Sequence, residues 1–92
     1  MKIYNFEGKR NIIGSRVNKA RIKLGLSQNE LAAKLQVEGV QLEQKSISRI
    51  EVGERFVADY ELLMLANILK VDVKWLLTGK TNWLTLRVYN PK

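Results

Sequence analysis

The sequence predicts an all-α domain of five short helices followed by a strand-like tail, and three observations carry that expectation. Apolar residues recur at helical spacing along most of residues 11–79, Ser27, Asp59 and Asp72 stand where N-caps are wanted, and Gly25, Gly53 and Gly79 fall just past the ends of periodic runs. Only residues 81–89 switch to a two-residue period.

The first helix follows from Ile13, Val17, Ala20 and Leu24, which share one face from about Asn11 until Gly25. Glycine takes a left-handed C-terminal position without the Cβ penalty, so this helix should stop there. Ser27 and Glu30 form a capping-box pattern ahead of Leu31 and Leu35, which starts helix 2 at Ser27 or Gln28. Residues 36–43 contain Gly39 and show no clean period; they read as a connection with some buried anchors. Ile47 and Ile50 then support a short third helix ending near Gly53. Asp59 is expected to cap a fourth helix from Tyr60 to about Lys70, with Leu62, Leu63, Leu65, Ala66 and Leu69 as a broad buried face. Asp72 should cap a fifth, through Trp75, Leu76 and Leu77, that ends at Thr78-Gly79.

The two ends differ from this core. Residues 1–10 (MKIYNFEGKR) have no helical period and read as an arm or short strand. In residues 80–92, Leu84, Leu86 and Val88 alternate with Trp83, Thr85, Arg87 and Tyr89. A lone strand is not stable by itself, so this segment needs either the N-terminal arm or the same segment of a second subunit. The expected division is an arm over 1–10, a helical domain over 11–79 and a tail over 80–92 that serves dimerisation.

Composition narrows the function. Ninety-two residues suit one domain, and sixteen Lys and Arg against nine Asp and Glu leave a formal charge of +7, which favours polyanionic partners. The chain has no cysteine and no histidine, so thiolate chemistry, disulfides, the commonest general base and the commonest metal ligand are all missing. No enzyme activity, cofactor or metal is expected. Ser27 reads as a cap rather than a nucleophile because no base accompanies it. The apolar runs are too short to cross a bilayer and no signal-peptide pattern begins the chain, which makes a cytoplasmic protein without a membrane partner the expectation.

The residues that carry function cluster in the third helix. Its inner face is Ile47 and Ile50, and its outer face is Gln44, Lys45, Ser48 and Arg49, with Ser46 between them. Gln can pair with adenine and Lys or Arg with guanine in the major groove of double-stranded DNA, while Ser suits several base edges. Single lysines elsewhere, such as Lys19, Lys23, Lys34 and Lys70, read as solvated faces. Trp75 reads as core; Trp83 suits either packing or stacking.

Over roughly residues 12–79 the chain resembles the Cro/CI-like (XRE) helix-turn-helix regulators of phages and bacteria. The resemblance is carried by Ser15-Arg16-Val17, Arg21 to Gln28, Glu30-Leu31-Ala32, Ser46 to Glu51 with Gly53, Leu65-Ala66 and Val71 to Leu77. It implies a lambda-repressor-like fold and a sequence-specific transcriptional regulator, with repression the first expectation. Residue by residue, it implies that Gln28 binds a DNA phosphate at the start of helix 2 and that Gln44, Lys45 and Arg49 occupy reading positions. It further implies that Arg21 and Glu51 form an ion pair tying helix 3 to helix 1. Arg55, in the loop after Gly53, is a candidate phosphate contact. A homodimer placing two copies of helix 3 in successive major grooves is expected. An alternative keeps the fold but uses the terminal segments to bind a protein partner, as the antitoxin of a toxin–antitoxin pair does. The chain departs from the family in one place: about five extra residues lie between Leu35 and Ile47, and they either lengthen helix 2 or bulge outward.

Overall fold

Among the described residues five helices form in the order the periodicity predicts: α1 (Gly14–Lys23), α2 (Gln28–Val37), α3 (Gln44–Glu51), α4 (Asp59–Leu69) and α5 (Val73–Thr78). The structure, a computed structural model, describes residues 5–80, so the alternating segment 81–89 lies outside the described residues.

The helix ends show which local signals win. Ser27 Oγ accepts from the Glu30 amide at 3.0 Å and the Glu30 carboxylate accepts from the Ser27 amide at 2.8 Å, closing the expected capping box on α2. Asp72 caps α5 as expected by accepting from the Lys74 amide. α1 begins three residues later than about Asn11, because Asn11 Oδ1 accepts from the amides of Ile13 and Gly14 and so acts as the cap from outside the helix. At α4 the expectation fails by one residue. Ala58 takes the N-cap position and Asp59 is the first helical residue, since the Glu61 carboxylate reaches back to the Ala58 amide at 2.9 Å and fulfils the capping role itself.

Of the expected connection 36–43, Gln36 and Val37 are the last two residues of α2, and residues 38–43 do not bulge outward. α2 ends in a Schellman arrangement, in which the Gly39 amide donates to the Gln36 carbonyl and the Val40 amide to that of Leu35. Gly39 sits at φ +88°, where glycine is the residue of choice. Val40 and Leu42 then fold inward and are buried, and Gln36 Nε2 donates to the Leu42 carbonyl. The extra chain is thus anchored at two apolar points, which sets the path into α3.

Val17, Leu31, Leu35, Leu42, Ile47, Ile50, Leu65, Leu69 and Leu76 form the fully buried centre. Around it α3 packs on α1 and α2, while α4 packs on α1, α2 and α5. Two members of the expected apolar faces fall outside this core: Leu24 is 41% exposed and Leu63 55%. Leu24 is the C-cap residue of α1, and Leu63 lies on the α4 face turned away from α1 and α2. Trp75 packs against the core, as expected.

Residues 5–10 of the N-terminal arm have more order than their sequence suggests. Phe6 and Lys9 exchange both backbone hydrogen bonds, at 2.7 and 3.0 Å, around Glu7 (φ +51°) and Gly8 (φ +80°). Positive φ at both central residues is what a two-residue hairpin turn needs. The Arg10 amide donates to the Gly53 carbonyl at 2.8 Å, which seats this hairpin beside the end of α3.

Candidate nucleic-acid interface

α3 has one face given to the protein and one to solvent. Ile47 and Ile50 have no exposed surface, and burying each contributes roughly 1.5–3 kcal/mol, which pins the helix to α1 and α2. Gln44, Lys45 and Arg49 are exposed; Ser46 and Ser48 are half-buried. Lys45 and Arg49 are four residues apart and therefore neighbours on one face, as are Gln44 and Ser48. The pattern expected from sequence, with apolar residues inward and hydrogen-bonding residues outward, is the pattern observed.

Below this face lies a polar cluster centred on Glu51. Its carboxylate accepts from Arg21 Nε at 2.6 Å, Arg21 Nη2 at 3.0 Å, Asn18 Nδ2 at 2.9 Å and Gln28 Nε2 at 3.0 Å. The Arg21–Glu51 pair is two-pronged and nearly enclosed, with 12% and 5% of the side chains exposed. Burial alone would push the Glu51 carboxyl up; the hydrogen bonds from Arg21, Asn18 and Gln28 outweigh it and hold the group below the usual carboxylate range. The hydrogen bond to Glu51 is also the main reason the Arg21 guanidinium is raised above its ordinary value.

This cluster reaches the outer face through Gln28. While its Nε2 donates to Glu51, its Oε1 accepts from Gln44 Nε2 at 2.6 Å. A carboxylate can only accept, so the amide orientation of Gln28 is set by its partner, and Gln44 is held in turn. Residues that are far apart in the chain are thereby joined in one line: Arg21 on α1, Glu51 on α3, Gln28 on α2 and Gln44 at the start of α3. One Nε2 hydrogen of Gln28 stays outside these bonds, as do the amides of Gln28 and Asn29 in the first turn of α2.

Arg55 stands apart from this face. Its guanidinium donates to Glu61 at 2.9 and 3.3 Å and to the Phe56 carbonyl, and it is 28% exposed. It closes the loop onto α4. Burial works to raise the Glu61 carboxyl, but the bonds from Arg55 and the Ala58 amide outweigh it and lower it.

Three supporting residues were missed by the sequence reading. Asn18 lies one helical turn before Arg21 and so shares its face, a spacing that could have revealed it. Asn11 Nδ2 donates to the carbonyls of Ile50 and Arg55, bracing the end of α3 from outside. Arg16 donates to the carbonyls of Ile12, Leu76 and Leu77, tying α1 to the last turn of α5. Backbone carbonyls leave no mark in a sequence, so neither of these last two was legible. Gly14 adds a close approach: a Cβ there would collide with the Ile50 carbonyl oxygen and stand 2.8 Å from that of Glu51.

Among the described residues no cluster of His, Cys, Asp or Glu is fit to hold a metal ion, and no helix is long and apolar enough to cross a membrane. A family model of the helix-turn-helix domain matches residues 14–81, from the first residue of α1 to just past α5. Among solved structures, the crystal structure of the DNA-binding domain of BldD is similar in fold, with a TM-score of 0.60 at 22% identity over 84% of this chain and 99% of that one.

Proposed function

The chain belongs to the helix-turn-helix domain family, of the Cro/CI-like (XRE) type, and from that premise we propose that it is a sequence-specific double-stranded DNA-binding regulator that acts as a repressor. The observation that carries this is the outer face of α3, where Gln44, Lys45 and Arg49 are exposed above an anchoring pair, Ile47 and Ile50, that is wholly buried. A rigid helix with two apolar anchors can enter the major groove without rearranging, and its exposed side chains match the donor and acceptor patterns of base edges.

In this reading Gln44 faces adenine, Lys45 and Arg49 face guanine, and Ser46 and Ser48 touch base or backbone where the groove approaches them. Gln28 takes a phosphate with its remaining Nε2 hydrogen and the free amides of the first turn of α2, a placement that brings the phosphate against Gln44. Arg55 reaches a phosphate only from the outer edge of its pair with Glu61. The chain works as a homodimer with two α3 helices about 34 Å apart, and the operator is correspondingly two-fold symmetric. Occupying such a site blocks access to the DNA beneath it, which is the simplest way for a DNA-binding domain to repress.

Selection from a random duplex pool tests DNA binding, half-site symmetry and spacing together. The expected outcome is a two-fold symmetric site whose half-sites are one helical turn apart. Lys45→Ala and Arg49→Ala each lose about 1–3 kcal/mol on that site and change base preference, whereas Gln28→Ala weakens every sequence alike. Equal losses for all three on cognate and random DNA would remove α3 as the reader.

A further inference from the structure

The family match begins at Gly14, so the hairpin of residues 5–10 is an addition to the matched domain. It is seated on the end of the reading helix. The Arg10 amide bonds the Gly53 carbonyl, and the aliphatic stem of Lys9 lies across Gly53 so closely that a Cβ at position 53 would stand 2.9 Å from Lys9 Cδ. The Arg10 guanidinium is carried over the Phe56 ring, 5.9 Å from its centroid. Lys9, Arg10 and Arg49 therefore line one concave surface, with Asn5 at its edge and Glu54 as its one carboxylate. All three cations lack a carboxylate partner among the described residues, in contrast to Arg21 and Arg55.

We propose that Lys9 and Arg10 form a phosphate-binding site for the DNA backbone that flanks the groove read by α3, so that the N-terminal hairpin is part of the DNA interface. This rests on the DNA-binding reading above and adds a second anchoring point to it. Arg49 is shared between the two surfaces: it lies on the reading face of α3 and also borders the hairpin concavity. A duplex lying on Arg49 brings its sugar–phosphate strand past the end of α3, where the concavity offers cations in excess over Glu54. Gly53 leaves room for this, because a Cβ there would crowd the Lys9 stem, 2.9 Å from its Cδ. Phosphate carries no base identity, so the hairpin supplies affinity and orientation without sequence preference.

The test uses the full chain and two duplexes, the selected site and a random sequence. With Lys9→Gln and Arg10→Gln combined, affinity should fall about tenfold on both duplexes. The slope of log affinity against log salt should shrink by about 1–2, with base preference unchanged. The charge-keeping pair Lys9→Arg and Arg10→Lys should bind as the wild type does. Wild-type affinity and salt slope in the Gln variant overturn the inference alone. A loss of the same size in the charge-keeping variant also overturns it, since hairpin shape rather than charge would then be responsible. No binding of either duplex by the wild-type chain brings down the DNA reading itself, and this inference with it.

Discussion

Glu51 and Glu61 are both enclosed carboxylates gripped by an arginine, yet they do different things. The partners of Glu51 come from α1 and α2, across 23 to 33 positions of sequence, and they bring three helices to one point. Those of Glu61 come from Arg55 and Ala58, within six positions, and they only shape the turn that leads into α4. The same ion-pair chemistry thus sets the orientation of α3 in one place and a loop in the other. Only the Glu51 cluster continues, through Gln28 and Gln44, to the outer face of α3.

The largest test of this difference is Glu51→Ala. It leaves Arg21 nearly enclosed and unpaired, so the free energy of unfolding should fall by about 3–5 kcal/mol in chemical denaturation. The folded fraction should also bind DNA less tightly, because Gln28 loses the bond that holds it. A loss below about 1 kcal/mol with unchanged binding would remove Glu51 as the group that sets the orientation of α3.

Next is Gly14→Ala, which drives a methyl group into the carbonyls of Ile50 and Glu51 and must push α1 from α3. A loss of about 1–3 kcal/mol in unfolding free energy is expected, which would place helix orientation, and not charge alone, at the centre of the Glu51 side. Glu61→Ala should cost about 1–3 kcal/mol and leave the affinity of the folded protein unchanged, Arg55 being able to turn to solvent. A drop in affinity matching that of Glu51→Ala would erase the distinction.

Acid offers a smaller and graded measure. Both carboxyls are lowered in the folded chain. Their stabilisation is therefore complete above the unfolded value of about 4.3 and is lost as pH falls below it through the folded values. Glu51→Gln and Glu61→Gln should each flatten the acid limb of a plot of stability against pH. The smallest effect is expected outside both clusters. Lys70 ends α4 at φ +60°, where the other helices that end in a left-handed residue use glycine, so Lys70→Gly should raise stability by about 1 kcal/mol in the same denaturation experiment.

Much of this was legible in the chain because the signals are local. Ser27 with Glu30, Asp72 ahead of Val73, and Gly25, Gly53 and Gly79 past their helices each act within one turn of backbone, where few alternatives compete. Asp59 misled because two acidic residues, Asp59 and Glu61, stand near the same start, and which of them caps depends on the side chain that reaches the Ala58 amide. The hairpin was missed because its signal is only Glu7-Gly8, with too short a flank for a strand period to show. That Gln44, Lys45 and Arg49 face outward could be read from the spacing of Ile47 and Ile50, since burial of those two leaves only one face outward.

By itself the sequence determined that there would be five helices, where most of them stop, and which residues of α3 face away from the core. Periodicity and capping are properties of neighbouring residues. Tertiary structure alone decided how the residues between α2 and α3 run, with Val40 and Leu42 buried and Gly39 turning the chain. It also decided that Asn11 and Gln28 join the Arg21–Glu51 pair at the end of α3, and that Lys9 lies over Gly53 beside Arg49. These depend on packing partners from distant parts of the chain and on backbone carbonyls every residue possesses, so no local pattern of side chains records them.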